Sequence, residues 1–126
     1  MHILMTGGTG LIGTATSAVL QESGHKLTIL TRRAPRETDD ATYVTALADC
    51  AEPVDAVINL AGAGLADRRW SSAYKRQIVS SRVDLTRELV VWLGDCQQPP
   101  SKLISASAIG YYGAAEAQTF TESGEP

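Results

Sequence analysis

Nowhere in this sequence do apolar residues run for the roughly 18 positions that a membrane-spanning helix requires. No cationic segment precedes the first strand-like run, so neither a membrane span nor a secretory leader is expected. Cysteine is scarce. The two that occur, Cys50 and Cys96, are far apart and fit no metal-ligand spacing. The expectation is therefore two reduced thiols, no metal site and a cytoplasmic setting. A basic surplus is missing too: 11 Lys and Arg stand against 14 Asp and Glu, for a formal net charge of −3. That argues against a nucleic-acid partner or a polybasic membrane surface. Internal repeats and low-complexity tracts are also absent. What remains is 126 residues, 44% of them hydrophobic, which is enough for one compact domain with a real core.

Five short apolar runs read as strands. They are His2 to Met5, "KLTIL" (Lys26 to Leu30), a weaker "TYVTAL" (Thr42 to Leu47), "DAVINLAG" (Asp55 to Gly62) and "KLISASAIG" (Lys102 to Gly110). Their cores are apolar without strict alternation, and helical patterns separate several of them. That combination predicts a parallel sheet covered on both faces. One helix is predicted from Thr14 to Ser23, with Ala15, Ala18 and Val19 on one side and Gly24 as its C-cap. A longer one is predicted from Ser71 to Leu93, with Ser71 as N-cap and Gly94 as the stop. Its apolar stripe is Ile78, Leu85, Leu89 and Leu93, and one position on that stripe, Arg82, is charged.

The stretch "MTGGTGLIG" places four glycines in nine residues between the first strand and the first helix. Such a turn suits a phosphate. Gly7 permits the tight turn, Gly10 lets backbone approach a pyrophosphate, and Gly13 allows close packing of helix on strand. The helix start adds free N–H groups and a favourable dipole. The candidate cradle is thus Gly7, Gly8, Thr9, Gly10, Leu11, Ile12 and Gly13. A tight turn without a ligand is the alternative. The second strand ends in Thr31, Arg32 and Arg33, where NAD-preferring sites carry Asp or Glu for the ribose hydroxyls. An arginine can pair with a 2′-phosphate, so NADP is expected in preference to NAD, with Thr31 and Arg32 as its contacts.

With "TGGTGLIG" and "NLAG" in view, the chain resembles the extended short-chain dehydrogenase/reductase superfamily, in its NAD-dependent epimerase/dehydratase group. The runs "NLAGAGLADRRW", "SSRVDLTREL" and "SASAIGYYG" are more specific. They resemble an atypical, YfcH-like branch of epimerase-family proteins. The resemblance implies a Rossmann-type doubly wound parallel sheet in three α/β/α layers, incomplete within this chain. Residues 1–126 would then be the N-terminal part of one NAD(P)-binding domain, with the remaining strands and substrate-binding region beyond Pro126. It implies that Leu60, Ala61 and Gly62 line the cofactor and that Arg82 of the "SR" pair faces the cofactor cleft, with Gln77 as a weaker candidate neighbour. Arg68, Arg69 and Lys75 read as solvated charges, and Trp70 as a packing anchor.

The resemblance also implies a serine or threonine at the end of the fifth strand that hydrogen-bonds the reacting group. Ser107 is the match by position and Ser105 the runner-up. The usual partner is a Tyr-x-x-x-Lys pair, in which lysine lowers the tyrosine pKa. That pair is missing here: the fourth residue after Tyr43, Tyr74, Tyr111 and Tyr112 is Leu47, Ile78, Ala115 and Glu116. Tyr111 and Tyr112 are open to either a substrate-side or a packing role. Two functions stay open: an NADP-dependent oxidoreductase or epimerase acting on a carbonyl or nucleotide-sugar type small molecule, and a dinucleotide-binding sensor without turnover. The reading leaves a homodimer open.

Overall fold

The computed structural model describes residues 1–32, 41–50, 53–113, 119–121 and 123–124. Arg33 lies outside the described residues, as do the Ala115 and Glu116 of the tyrosine comparison. Five parallel strands, β1 (His2–Thr6), β2 (Lys26–Leu30), β3 (Ala41–Val44), β4 (Ala56–Asn59) and β5 (Lys102–Ser105), form one sheet in the order β3-β2-β1-β4-β5. These are the first five strands of the Rossmann order, in which the strand order reverses between β1 and β4. The two main helices are α1 (Leu11–Glu22) and α2 (Ser72–Asp95).

β1 is central, and its last four residues are buried because both sheet faces are covered. The period of two sends Ile3 and Met5 to one face with Leu27, Ala56 and Ile58, where Leu20 of α1 packs against them. Leu4 goes to the other face with Val54, Val57 and Leu89 of α2. A fully buried leucine of this kind contributes about 1.5–3 kcal/mol. At the carboxyl edge one register row crosses the whole sheet: Val44, Leu30, Thr6, Asn59 and Ser105.

Both helices depart from the sequence expectation in instructive ways. α1 starts three residues earlier, at Leu11, and buries Gly13 and Ser17 rather than Ala15, Ala18 and Val19, which are exposed. Small residues win the buried face because the helix lies against the turn itself: a Cβ on Gly13 would overlap the carbonyl oxygen of Gly7. Gly24 follows the helix at φ 75°, and its N–H donates to the Gln21 carbonyl at 2.8 Å, so the expected glycine end is present. In α2 the Ser71 cap is present too, its side chain accepting from the Tyr74 N–H at 3.2 Å. Gly94 does not stop the helix, which runs to Asp95. It ends where Cys96 turns extended (φ −65°, ψ 127°) ahead of Pro99 and Pro100. The stripe Ile78, Leu85, Leu89 and Leu93 is buried or half-buried.

β1 runs one residue further than expected, to Thr6, and β2 matches its run, but the last three strands are shorter than the apolar runs that announce them. The third covers Ala41–Val44, and Leu47 belongs to a short 3-10 turn, Leu47–Asp49. The fourth stops at Asn59 and the fifth at Ser105, because chain beyond the sheet edge leaves the ladder to build loops. A second 3-10 turn, Ile109–Tyr112, follows the fifth.

Candidate functional site

The glycine turn sits at the carboxyl edge of the sheet, beside the gap between β1 and β4. Gly7 adopts φ +71°, and a Cβ there would stand 2.7 Å from the Leu60 carbonyl. Backbone from the β4 loop therefore presses on the turn, and glycine is required on two counts. A Cβ on Gly8 would meet the Ile29 side chain at 2.9 Å. Gly10 differs from these. Its N–H donates to the Gly7 carbonyl at 3.0 Å, and a Cβ placed on it would meet only that oxygen, at 3.3 Å. The protein's own packing thus explains Gly7, Gly8 and Gly13, whereas Gly10 has that one close neighbour alone.

Gly10 is also the N-cap of α1, and no side chain caps that helix. The first-turn N–H groups and the positive dipole end point at the open side of the turn. Thr9 is exposed, and Leu11 and Ile12 are 92% and 68% exposed. Two apolar side chains left bare beside an uncapped helix start fit a ligand with both a phosphate and an apolar part. The residues present therefore fit a dinucleotide.

The rest of the crevice is held by side-chain hydrogen bonds that the sequence did not disclose. Thr6 Oγ1 donates to Asn59 Oδ1 at 2.6 Å and accepts from the Ala61 N–H at 3.2 Å. Asn59 Nδ2 donates to Thr86 Oγ1 at 3.1 Å and to Ser105 Oγ at 3.4 Å. This fixes Leu60, Ala61 and Gly62 beside the glycine turn. Arg82 joins them: its Nη1 donates to the carbonyls of Ala63 and Ile78, both at 3.1 Å. A Cβ on Gly62 would stand 2.6 Å from Arg82 Cζ, so the guanidinium rests on that glycine. The charge on the apolar stripe is thereby explained, because Arg82 reaches from the edge of the stripe onto the β4 loop. Gln77 is not among its hydrogen-bond partners; it is exposed, and its carbonyl accepts from Ser80 Oγ.

At the end of β2 the Thr31 N–H donates to the Val44 carbonyl at 2.9 Å, and Arg32 is exposed. Ser107 is exposed two residues beyond β5, with no hydrogen-bond partner among the described residues, whereas Ser105 belongs to the Asn59 network. Tyr111 and Tyr112 meet edge to face, and Tyr112 stacks on Phe120 at 5.6 Å between centroids. A separate cavity of about 330 Å³, lined by Cys50, Val54, Trp92 and Cys96, lies at the amino end of the sheet, away from the turn. Among the described residues there is no cluster of metal-ligating side chains, and no helix is long and apolar enough to cross a membrane.

A glycine turn at an uncapped helix start, placed where a 3-2-1-4-5 parallel sheet reverses its strand order, defines a Rossmann-type protein. Comparison with known proteins agrees. The model of the NAD dependent epimerase/dehydratase family matches residues 3–126, and the chain belongs to that family. It is 42% identical over 130 residues to epimerase family protein YfhF of Bacillus subtilis, covering 97% of this chain and 42% of that protein. It is 33% identical over 116 residues to human epimerase family protein SDR39U1, covering 89% of this chain and 38% of that one. A crystal structure of human SDR39U1 (isoform 2) with NADPH superposes with a TM-score of 0.85 at 27% identity, over 99% of this chain and 42% of that chain. MoeE5 in complex with UDP-glucose and NAD gives 0.78 at 25% identity, over all of this chain and 42% of that one. The chain thus spans about two fifths of the length of these relatives.

Proposed function

We propose that this chain binds NADP(H) across the carboxyl edge of β1 and β4. The turn Gly7 to Gly13 holds the pyrophosphate, Thr31 and Arg32 take the adenosine 2′-phosphate, and Leu60 to Gly62 with Arg82 line the nicotinamide side. Gly10 carries the reading: it is the glycine of the turn whose missing side chain the rest of the fold constrains least. The NADPH held by the human relative supports the choice of cofactor, although MoeE5 holds NAD. Bound NADP(H) would supply hydride exchange with a carbonyl. In the complete protein the activity is then an oxidoreductase or epimerase reaction on a carbonyl or nucleotide-sugar type small molecule. Ser107, exposed beyond β5, is its candidate hydrogen-bonding residue, and the reduced thiols fit a cytoplasmic setting.

The test is calorimetric titration of wild type and Arg32→Asp with NADPH and NADH. NADPH binds wild type more tightly, and the variant loses or reverses that preference, because a carboxylate repels the 2′-phosphate. Equal affinities in both proteins would refute the assignment. A second reading, left open by the sequence, is a dinucleotide sensor without turnover. NADPH oxidation measured across a panel of carbonyl compounds separates the two.

A further inference from the structure

The segment that joins the β4 loop to α2 is built with a care that the cofactor crevice does not explain. Ala63 N–H donates to Ser81 Oγ at 2.9 Å, the Tyr74 hydroxyl donates to the Gly64 carbonyl at 2.5 Å, and Trp70 Nε1 donates to the Leu65 carbonyl at 2.7 Å. The Asp67 carboxylate folds against Gly64, where a Cβ would overlap it. Arg68 lies 6.0 Å over the buried Tyr74 ring. Each of these contacts rigidifies the loop from inside. Arg69 and Trp70, neighbours in this loop, are both exposed.

Trp70 was expected to anchor packing, and it does not: it is 54% exposed although its N–H is satisfied. A tryptophan fixed by its nitrogen and left bare on its ring presents a rigid apolar plane. Around it the charge runs against that of the chain. Between Ala63 and Arg82 there is one acid, Asp67, and five bases, Arg68, Arg69, Lys75, Arg76 and Arg82, in a protein of formal net charge −3. All five bases are exposed, and none has an ion-pair partner among the described residues. The loop leaves directly from Gly62, on which Arg82 rests, so it borders the crevice.

We propose that Arg69 and Trp70 form a subsite for an anionic, ring-bearing ligand beside the cofactor crevice. The ring packs on the Trp70 plane, and Arg69 engages the phosphate or carboxylate that the ring carries. Lys75 and Arg76 raise the local potential that draws the anion in. This inference rests on the crevice reading for what lies next to the subsite, and its own ligand is the second one, not the dinucleotide.

The experiment uses uridine 5′-diphosphate as probe and uridine as neutral control, titrated into protein with and without saturating NADPH. Trp92→Phe leaves Trp70 as the single tryptophan, whose emission is read by exciting at the red edge of indole absorption, since the chain has two tryptophans. The diphosphate changes Trp70 emission and uridine does not. Arg69→Gln weakens diphosphate binding about tenfold, the loss of one charge-assisted contact. Trp70→Ala weakens it similarly and Trp70→Phe restores most of it, while NADPH affinity is unchanged in all three. Thermal unfolding checks the fold of each variant, and Arg69→Gln decides should Trp70→Ala fail to fold. Diphosphate binding that is absent, or untouched by Arg69→Gln, overturns the subsite even where NADPH binds. Diphosphate binding that responds to Arg69→Gln, in a protein that does not take NADPH, sustains the subsite and overturns the cofactor reading alone.

Discussion

Thr6 and Asn59 are 53 residues apart in sequence and joined across β1 and β4 by a buried 2.6 Å hydrogen bond. The hydroxyl donates to the carboxamide oxygen, so its own oxygen is left to accept from the Ala61 N–H, and the carboxamide nitrogen is left to reach Thr86 and Ser105. Three strands, the β4 loop and α2 meet in this one polar cluster. Low polarity around it makes every unmet bond costly.

Replacing Asn59 with leucine therefore strands the Thr6 hydroxyl in a buried site. We expect a loss of about 1–3 kcal/mol, the cost of an unsatisfied buried polar group. Urea unfolding read by circular dichroism should show a lower midpoint with an unchanged slope. A variant as stable as wild type would mean that the cluster carries no weight.

The glycines of the turn should separate into two kinds. Gly7→Ala combines a positive φ with an overlap on Leu60 backbone, and should cost about 3 kcal/mol or more. Gly10→Val meets only the Gly7 carbonyl oxygen and should leave the fold standing while nucleotide affinity falls steeply. Thermal unfolding and NADPH titration of the two variants check this. Were Gly10→Val to bind NADPH as wild type does, the open side of the turn would have another purpose.

Arg82→Ala removes two hydrogen bonds to backbone carbonyls and the group that rests on Gly62. The β4 loop should loosen, and NADPH affinity should drop by about tenfold with a stability loss near 1 kcal/mol. Arg82→Lys keeps the charge without the planar fork and should recover only part of the affinity. Full recovery by lysine would show that charge alone matters there.

Much of the fold is legible in the amino-acid sequence itself. The turn was readable because glycines as dense as Gly7, Gly8, Gly10 and Gly13 between an apolar run and a helical pattern mark a tight strand-to-helix connection, and β2 was readable to the residue. The buried face of α1 was not, because apolar Ala18 and Val19 outrank Gly13 and Ser17 on hydropathy, while close approach to the sheet selects for size. The ends of β4 and β5 were overrun because their apolar runs continue into loops that serve the crevice. The Thr6–Asn59 cluster has no local signature, since its partners meet only when β1 and β4 pair. Trp70 was misplaced because an aromatic side chain carries no sign of which way its loop will turn it.

The described residues leave apolar surface bare at one sheet edge and along α2. β5 is an edge strand with an exposed residue at every position, and Leu103 and Ile104 are 50% and 55% exposed on its two faces. Val79, Val83, Val90 and Val91 of α2 are exposed as well. An unpaired apolar edge and a valine-rich helix surface are each an association hazard, because strand edges template further pairing and bare apolar patches seek cover. Residues 1–126 produced alone should therefore self-associate as concentration rises. Lys substitutions at Leu103 and Val90 should reduce this, since charge on an edge or patch opposes pairing. Sedimentation velocity over a concentration series gives the answer. A monomer at every concentration would show that these side chains are ordinary scattered surface residues.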